Sequence, residues 1–445
     1  MRVLGIGHCN DLAAMYAGMQ TRGHDVRAYV RDPASHSVFA GMVKRTDDWQ
    51  QDLGWVREAG DQGLILFETA DQGTVQDALR AEGFQVIGGS ALGDRLEADR
   101  AYGQQVLRDA GLRTAASHSF ASYGQALDFV RSRRQRYVLK FNGAHNPRTR
   151  NYIAQTADSR DLAALLDFYC EHEASADTQP DFVLMEHVDG VEIGVGGYFN
   201  GQQFLETACI DFEHKRFFAG ELGELTGEMG TVVSYAHSSA LRVKVLLPLT
   251  DVLRDGGYCG YINVNLIANA DGLWPLEFTS RFGYPGYAIC EALHREPWEA
   301  IFRKLLQRPG AQHAGAFRSA VAPGFEAARD FAVGIVLTVP PFPHPHGYAA
   351  LSKGLPVIPD SSLSPAERAG LSFAEVELRG HTLLTSGTCG YVGVATGCGS
   401  SVDSARSRAL DLARKVYVPN LRYRSDIGER VSPKVLADLR LWGYL

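Results

Sequence analysis

The chain is poor in cysteine, and none of it is spaced for structural use. Seven cysteines in 445 residues stand at 9, 170, 209, 259, 290, 389 and 398, an odd number with no Cys-x-x-Cys pair. That argues against a disulfide framework or a cysteine zinc site and for a reducing compartment, the cytoplasm. No stretch approaches the roughly 18 consecutive apolar residues of a membrane span, so no membrane association is expected. The opening "MRVLGIGHCNDLAAMYAGMQ" places the polar "HCND" where a signal peptide would be apolar, and reads as strand plus helix. Basic charge is not in excess: 44 Lys and Arg stand against 51 Asp and Glu, a net charge of −7, so no nucleic-acid partner is expected. After "GIG" the third glycine of a dinucleotide fingerprint is missing, and His8-Cys9-Asn10-Asp11 crowd the turn where a pyrophosphate would sit. That removes the main argument for a nicotinamide-dependent dehydrogenase.

What is present suits a soluble enzyme of several domains. The chain is 45% apolar and 21% charged, and its 47 glycines exceed the usual share of about 7%, which implies many tight turns and loops near a ligand. Its length exceeds what one core supports, so two to four domains are expected. "RVLGIG" (2–7), a helix near 11–22 and "DVRAYV" (25–30) make a βαβ start. "GLILFE" (63–68), a helix near 73–82 and "QVIGGS" (85–90) continue it, closing a first domain near residue 95. A helix over 94–110, the strand "YVLKFNGAH" (137–145), a returning "RNYIA" and a helix over 158–173 follow. Residues 180–210 read as antiparallel strands with hairpin turns at Asp189-Gly190 and Asn200-Gly201, residues 238–254 as a helix, and 259–281 as a hairpin turning at Asn269-Ala270-Asp271-Gly272. Helices near 286–307 lead to a linker over 309–324. A third domain has strands at 331–339, 373–378, 381–386 and 390–396 and helices at 402–415 and 432–440.

The chemistry gathers on a few segments. In "PLEFTSRFGYPG" (275–286), Glu277, Thr279 and Arg281 alternate along one strand and point the same way: a carboxylate, a short oxygen ligand and a guanidinium. Such a trio holds a magnesium ion and a triphosphate, or it is a strand end with a salt bridge. Lys140 leaves the end of an apolar strand, and Glu186 and Glu192 flank a turn. Each alone reads equally well as a solvated strand residue.

In their order these segments resemble the ATP-grasp superfamily and, within it, the glycinamide ribonucleotide synthetase (phosphoribosylamine–glycine ligase) family, over nearly the whole chain. "RLEADRAYGQQVLRDAGLRTAASHSF" is similar to that family's helix and turn, with Arg100 where a nucleotide-contacting lysine stands. "YVLKFNGA" and "VLMEHVDGVEIGV" are similar to its nucleotide strands. The resemblance places Lys140 on the phosphates, Glu186 near the adenine and Glu192 at the ribose. "DFEHKRFFAGELGELTGEMGTVVSY" carries the family's His-Lys-Arg run and its Gly-Met-Gly loop, here His214, Lys215, Arg216 and then Gly227, Met229 and Gly230. "TSGTCGYVGVATGCGSSVDSARSRAL" and "YRSDIGERV" follow its last domain.

The implied fold is ATP-grasp, mixed α/β and α+β. It has a Rossmann-like pre-ATP-grasp domain over 1–95, an ATP-grasp domain over 96–320 with a small subdomain near 115–190, and a mixed α+β domain over 321–445. The implied cofactors are ATP and Mg2+ (or Mn2+). Lys215, Arg216, Arg281 and His214 are implied for catalysis, and Arg100, Lys140, Glu186, Glu192, Arg148 and Arg150 for ATP. Glu277, assisted by Thr279 and Asn265, is implied for the metal; Gly227, Met229, Gly230, Tyr284 and Gly286 would face substrate.

Three departures shape the expected function. The metal strand reads Glu-x-Thr where the family has Glu-x-Asn. The loop after Lys140 is "AHNPRTRNY", with Arg148 and Arg150 in place of Gly-Lys-Gly. "FGYPG" replaces Phe-Gly-Asp-Pro-Glu, and "GHCNDLA" replaces Gly-Gly-Arg-Glu-His. Nucleotide residues mostly kept and substrate residues changed imply an ATP-dependent carboxylate–amine ligase of a specialised pathway. It would join glycine or a small amino acid to an amine through an acyl phosphate, as a monomer or homodimer. The alternatives are glycinamide ribonucleotide synthetase itself and a non-catalytic nucleotide-binding protein of the same fold.

Overall fold

A computed structural model describes residues 1–142, 150–172, 180–307 and 324–445. Five short parallel strands form the first sheet, in the order Lys44–Thr46, Asp25–Val30, Arg2–Gly7, Gly63–Phe67, Val86–Ile87. Their near-continuous apolar runs are what a parallel sheet covered on both faces requires. The strand order reverses between Arg2–Gly7 and Gly63–Phe67, so the loops after these two strands diverge and leave a crevice at their carboxyl ends. His8–Asp11 and Thr69 line that crevice. The turn carries no dinucleotide geometry: Asn10 adopts a left-handed φ of 69°, and the Asp11 amide is taken by the Glu68 carboxylate at 2.7 Å.

The helix expected over 94–110 is two helices, Ala91–Ala98 and Arg100–Asp109. Asp99 between them is extended (φ −102°, ψ 92°), and its carboxylate accepts from the Tyr102 amide at 3.0 Å. A residue that caps better than it propagates has ended one helix and begun the next.

A four-stranded sheet follows, in the order Ser117–Phe120, Phe182–Glu186, Tyr137–Phe141, Tyr152–Ile153. Tyr137, Leu139 and Phe141 turn one way, onto the helices Tyr123–Arg133 and Arg160–His172, and the alternation turns Lys140 the other way. Asp189-Gly190 is not a hairpin turn. Phe182–Glu186 pairs only within this small sheet, and Val191–Asn200 lies in the central one, so the dipeptide carries the chain from one sheet to the other.

The central sheet has eight strands, in the order Gly272–Thr279, Cys259–Asn269, Val191–Asn200, Phe204–Glu213, Gly230–Ser234, Phe331–Thr338, Tyr391–Gly399, Leu371–Phe373. It runs unbroken from the second expected domain into the third, because Gly230–Ser234 pairs with Phe331–Thr338. The linker expected at 309–324, and with it the 320/321 boundary, lies outside the described residues apart from Gly324. Strict alternation builds two unlike faces. Ile262, Val264, Leu266, Ile210, Phe212 and Phe278 face a core closed by the helical segment at 239–255. Tyr261, Asn263, Asn265, Asp211, Glu213, Glu277 and Thr279 face the other way, across from Lys140. Pro356–Pro359 joins a smaller sheet with Thr382–Thr385, Val376–Arg379 and Val416–Tyr417, a strand that the prolines hid from sequence reading.

Candidate active site

The polar face of the central sheet, the crevice of the first sheet, and Ala374, Glu375 and Tyr391 enclose a cavity of about 380 Å³. At its mouth, cations from three elements converge on Glu277. Arg100 Nη1 lies 2.6 Å from it, Lys140 Nζ 3.6 Å and Lys215 Nζ 3.7 Å. Lys215 also reaches Glu192 at 3.0 Å and Glu213 at 3.1 Å, and Asn265 donates to Glu213 at 3.1 Å. Three cations and three carboxylates thus interlock where the two sheets face each other. Burial opposes the charge on Lys215, but Glu192, Glu213 and Glu277 outweigh it and hold the ammonium above its ordinary pKa. Burial likewise opposes ionisation of Glu192, and Lys215 with Arg430 reverses this to leave its carboxyl below the usual range. Lys140 is lowered, chiefly by burial, with Glu277 acting against the shift.

The register explains the metal strand. Asn265 pairs with Glu277 and Asn263 with Thr279, so Glu277, Thr279 and Asn265 share one face. The Thr279 hydroxyl lines the cavity and makes no hydrogen bond to a described residue. Carboxylate, carboxamide and hydroxyl oxygens are the donor set of a hard divalent cation, so the residues present fit magnesium. Thr279→Asn is expected to shift the magnesium concentration for half-maximal ADP release by about threefold or more, the carboxamide being the stronger ligand. An unchanged titration would place Thr279 outside the coordination sphere.

Arg281 is anchored from behind. Its Nε donates to Glu97 at 3.1 Å, and the other Glu97 oxygen accepts from the Ser280 amide at 2.8 Å. Glu97 and Asp11 raise the guanidinium pKa still further, so Arg281 is a fixed positive charge on the cavity wall. Gly227, Tyr284 and Gly286 also line the wall.

Other expected residues lie elsewhere. His214 is 1% exposed; its Nδ1 sits 3.1 Å from the Phe212 carbonyl and its Nε2 accepts from the Gly428 amide at 3.1 Å. Both ring nitrogens are taken, so His214 ties the central sheet to the C-terminal segment and has no free nitrogen for proton transfer. Burial, with Arg430 and Arg424 nearby, lowers its pKa to about 3. An unfolded histidine protonates near 6.5, so His214 contributes stability above that pH, which is lost as pH falls toward 3. Urea unfolding of the wild type is expected to lose about 1.4 kcal/mol per pH unit from this one group across that window. His214→Gln should lack that part of the slope, and an identical slope in the variant would overturn the assignment.

Arg216 donates to the Gly223 carbonyl at 2.6 Å, in the small hairpin beside the cavity. Met229 is core, and Gly230 (φ 150°) passes beneath the Gly334 carbonyl where a Cβ would clash. Arg150 stacks over Phe141, 4.4 Å from the ring centroid, and over Tyr169. Glu186 ends its strand opposite Tyr137, away from the cavity wall. Arg148 lies outside the described residues.

Glu97, Glu213, Asp211 and Asp11 were missed. Glu213 and Asp211 were within reach: "IDFE" alternates apolar and acidic just before His-Lys-Arg. Asp211 is 6% exposed, and burial together with Glu213 holds its carboxyl well above the usual range.

Two sheets facing each other across a cation-rich cleft are the ATP-grasp arrangement, and residues 98–287 match the family model of the phosphoribosylglycinamide synthetase ATP-grasp (A) domain. The chain has the ATP-grasp fold and is similar to phosphoribosylamine–glycine ligases. One from Streptococcus pyogenes serotype M1 is 24% identical over 410 residues, which covers 89% of this chain and 87% of that one. Another, from Halalkalibacterium halodurans, is 23% identical over 363 residues, covering 80% and 79%. The crystal structure of a Thermotoga maritima phosphoribosylamine–glycine ligase shares the fold with a TM-score of 0.70 at 21% identity, over 96% of this chain and all of the other. The biotin carboxylase domain of Hydrogenobacter thermophilus 2-oxoglutarate carboxylase, solved with MgADP and bicarbonate, matches with a TM-score of 0.59 at 13% identity, over 100% of this chain and 95% of that one.

Proposed function

We propose that this chain is an ATP-dependent carboxylate–amine ligase. The observation that carries it is the convergence of Arg100, Lys140 and Lys215 on Glu277 at the mouth of the cavity. A carboxylate oxygen of the donor attacks the γ-phosphorus of ATP and ADP leaves. The amine nitrogen then attacks the acyl carbon, phosphate leaves, and the amine gives up a proton. Lys140, Lys215 and Arg100 supply the positive charge that a transferring phosphoryl group needs. Glu277, Thr279 and Asn265 would hold magnesium or manganese, which when bound withdraws charge from phosphate oxygens. Arg281, locked by Glu97, is the fixed cation for the donor carboxylate. The rings of Tyr198, Tyr261, Phe282 and Tyr284 supply the apolar part of the inner wall and take up space that water would fill beside an acyl phosphate.

The curated relatives favour glycine as donor and phosphoribosylamine as acceptor over a specialised pathway. A second reading, an acceptor without a phosphate, is favoured by the wall itself. Its described lysine and arginine side chains are Lys215 and Arg281, both already paired, whereas Asp11, Asp211, Glu228 and Glu375 line it as well. The retained cluster around Glu277 speaks against a binding protein without catalysis.

The test supplies ATP, magnesium and glycine, with hydroxylamine as a universal nucleophile, and reads ADP and glycyl hydroxamate. Formation of both, lost in Glu277→Gln, supports the ligase reading; ATP binding with no hydroxamate from any amino acid contradicts it. Replacing hydroxylamine with phosphoribosylamine or with unphosphorylated amines then separates the two substrate readings.

A further inference from the structure

Deep in the cavity stands a carboxylate that the steps above leave unused. Asp211 lies on the cavity wall, and its Oδ2 accepts from Asn263 Nδ2 at 2.6 Å. Its Oδ1 is buried with no hydrogen-bond partner, and no ion pair reaches the side chain among the described residues. Lys215 is engaged by Glu192 and Glu213 instead. Two more buried oxygens on the same wall lack partners, Thr231 Oγ1 and Tyr284 Oη. Half-satisfied buried carboxylates are destabilising, and a structural role would be served better by an apolar residue or a paired one.

The sheet is shaped around this group. Gly194 pairs with Asp211 on one side and Asn265 on the other, and a Cβ at Gly194 would collide with the Asp211 carboxylate. Gly196 likewise leaves room for the Tyr261 hydroxyl, which accepts from Asn263 at 3.3 Å. Glycines inside a central strand weaken it, so both depart from what stability alone favours. Gly194 sinks the floor between Asn265 and Asp211, in the row that begins at Glu277, and Gly196 does so between Asn263 and Cys209, in the row that begins at Thr279. The result is a recess with one unpartnered carboxyl oxygen, two hydroxyls, and the aromatic walls of Tyr198 and Tyr261.

We propose that this recess binds a primary ammonium group of a substrate, with Asp211 as its counter-ion and Asn263 fixing the orientation of that carboxylate. An ammonium brings three donors and one positive charge, which match a lone carboxylate oxygen and neighbouring hydroxyls, and aromatic faces tolerate a cation well. The proposal rests on the ligase reading and narrows its substrates to those with a free amine at this end of the cavity. That amine is either the α-ammonium of an amino-acid donor or the protonated acceptor.

The test is calorimetric titration of the full-length protein, with and without MgADP, by matched probes. Glycine and L-alanine are paired with glycolate and L-lactate, and ethanolamine with ethylene glycol. At least one amine probe is expected to bind wild type at least about tenfold tighter than its hydroxyl counterpart. Asp211→Asn, which can still accept from Asn263, should erase that preference while leaving the hydroxyl probe and MgADP unchanged. Gly194→Ala, which displaces the carboxylate without removing it, should act in the same direction. A preference confined to the α-amino acids assigns the recess to the donor, and one shared by ethanolamine assigns it to an amine acceptor. The proposal is overturned if no amine probe shows a preference that Asp211→Asn removes, or if amine and hydroxyl probes weaken equally. Retained MgADP binding in either case leaves the ligase reading standing, whereas a wild type that binds no MgADP sinks both.

Discussion

Glu277→Gln is expected to lower turnover at least about a thousandfold, to around 4 kcal/mol of lost transition-state stabilisation, in a protein that still folds. The change keeps size and removes the charge on which Arg100, Lys140 and Lys215 converge, at 2.6, 3.6 and 3.7 Å. It also removes the one carboxylate of the proposed metal set. Folding should survive because Lys215 keeps Glu192 and Glu213, at 3.0 and 3.1 Å. ADP release with glycine and hydroxylamine measures the first part, and circular dichroism the second. Turnover within tenfold of wild type would mean that the metal and the phosphoryl group sit elsewhere.

Lys215→Met is expected to be the more damaging substitution, abolishing turnover and destabilising the fold by about 3 kcal/mol at pH 7. It leaves Glu192, Glu213 and Glu277 facing one another with their shared cation gone. The loss falls at the low end for a broken buried pair, because 20% of the lysine side chain is still exposed through the cavity mouth. The pH dependence supplies a signature. In the wild type Glu192 is held below its ordinary pKa, so its contribution is present above the unfolded value near 4.3 and is lost as pH falls through the folded one. In the variant the carboxylates repel, their pKa values rise, and the difference from wild type should shrink from pH 7 to pH 5. Urea unfolding at both values checks this, and a deficit that grows toward pH 5 would contradict it.

Much of this site was legible because alternation and order carry it. Glu277, Thr279 and Asn265 share a face for the same period-two reason that puts Ile262, Val264 and Leu266 in the core. Lys140 belongs with them because its strand turns Leu139 and Phe141 the other way. What stayed hidden depends on register and long-range approach. Glu97 fixes Arg281 across 184 positions of sequence, and His214 is consumed by the Gly428 amide 214 positions away. No local pattern marks either contact. Asp189-Gly190 has hairpin composition yet crosses between sheets, since a dipeptide sets a turn without choosing the partner strand. At Asp99 capping chemistry broke a helix that amphipathic periodicity would have continued.

The most direct measurement follows oxygen. With glycine carrying 18O in its carboxylate, ATP, magnesium and hydroxylamine, the account predicts that each inorganic phosphate released carries one 18O, because a carboxylate oxygen forms the bond to the γ-phosphorus and departs with it. Hydroxamate formed with no label in the phosphate, or with label in AMP, would contradict the acyl-phosphate ligase reading.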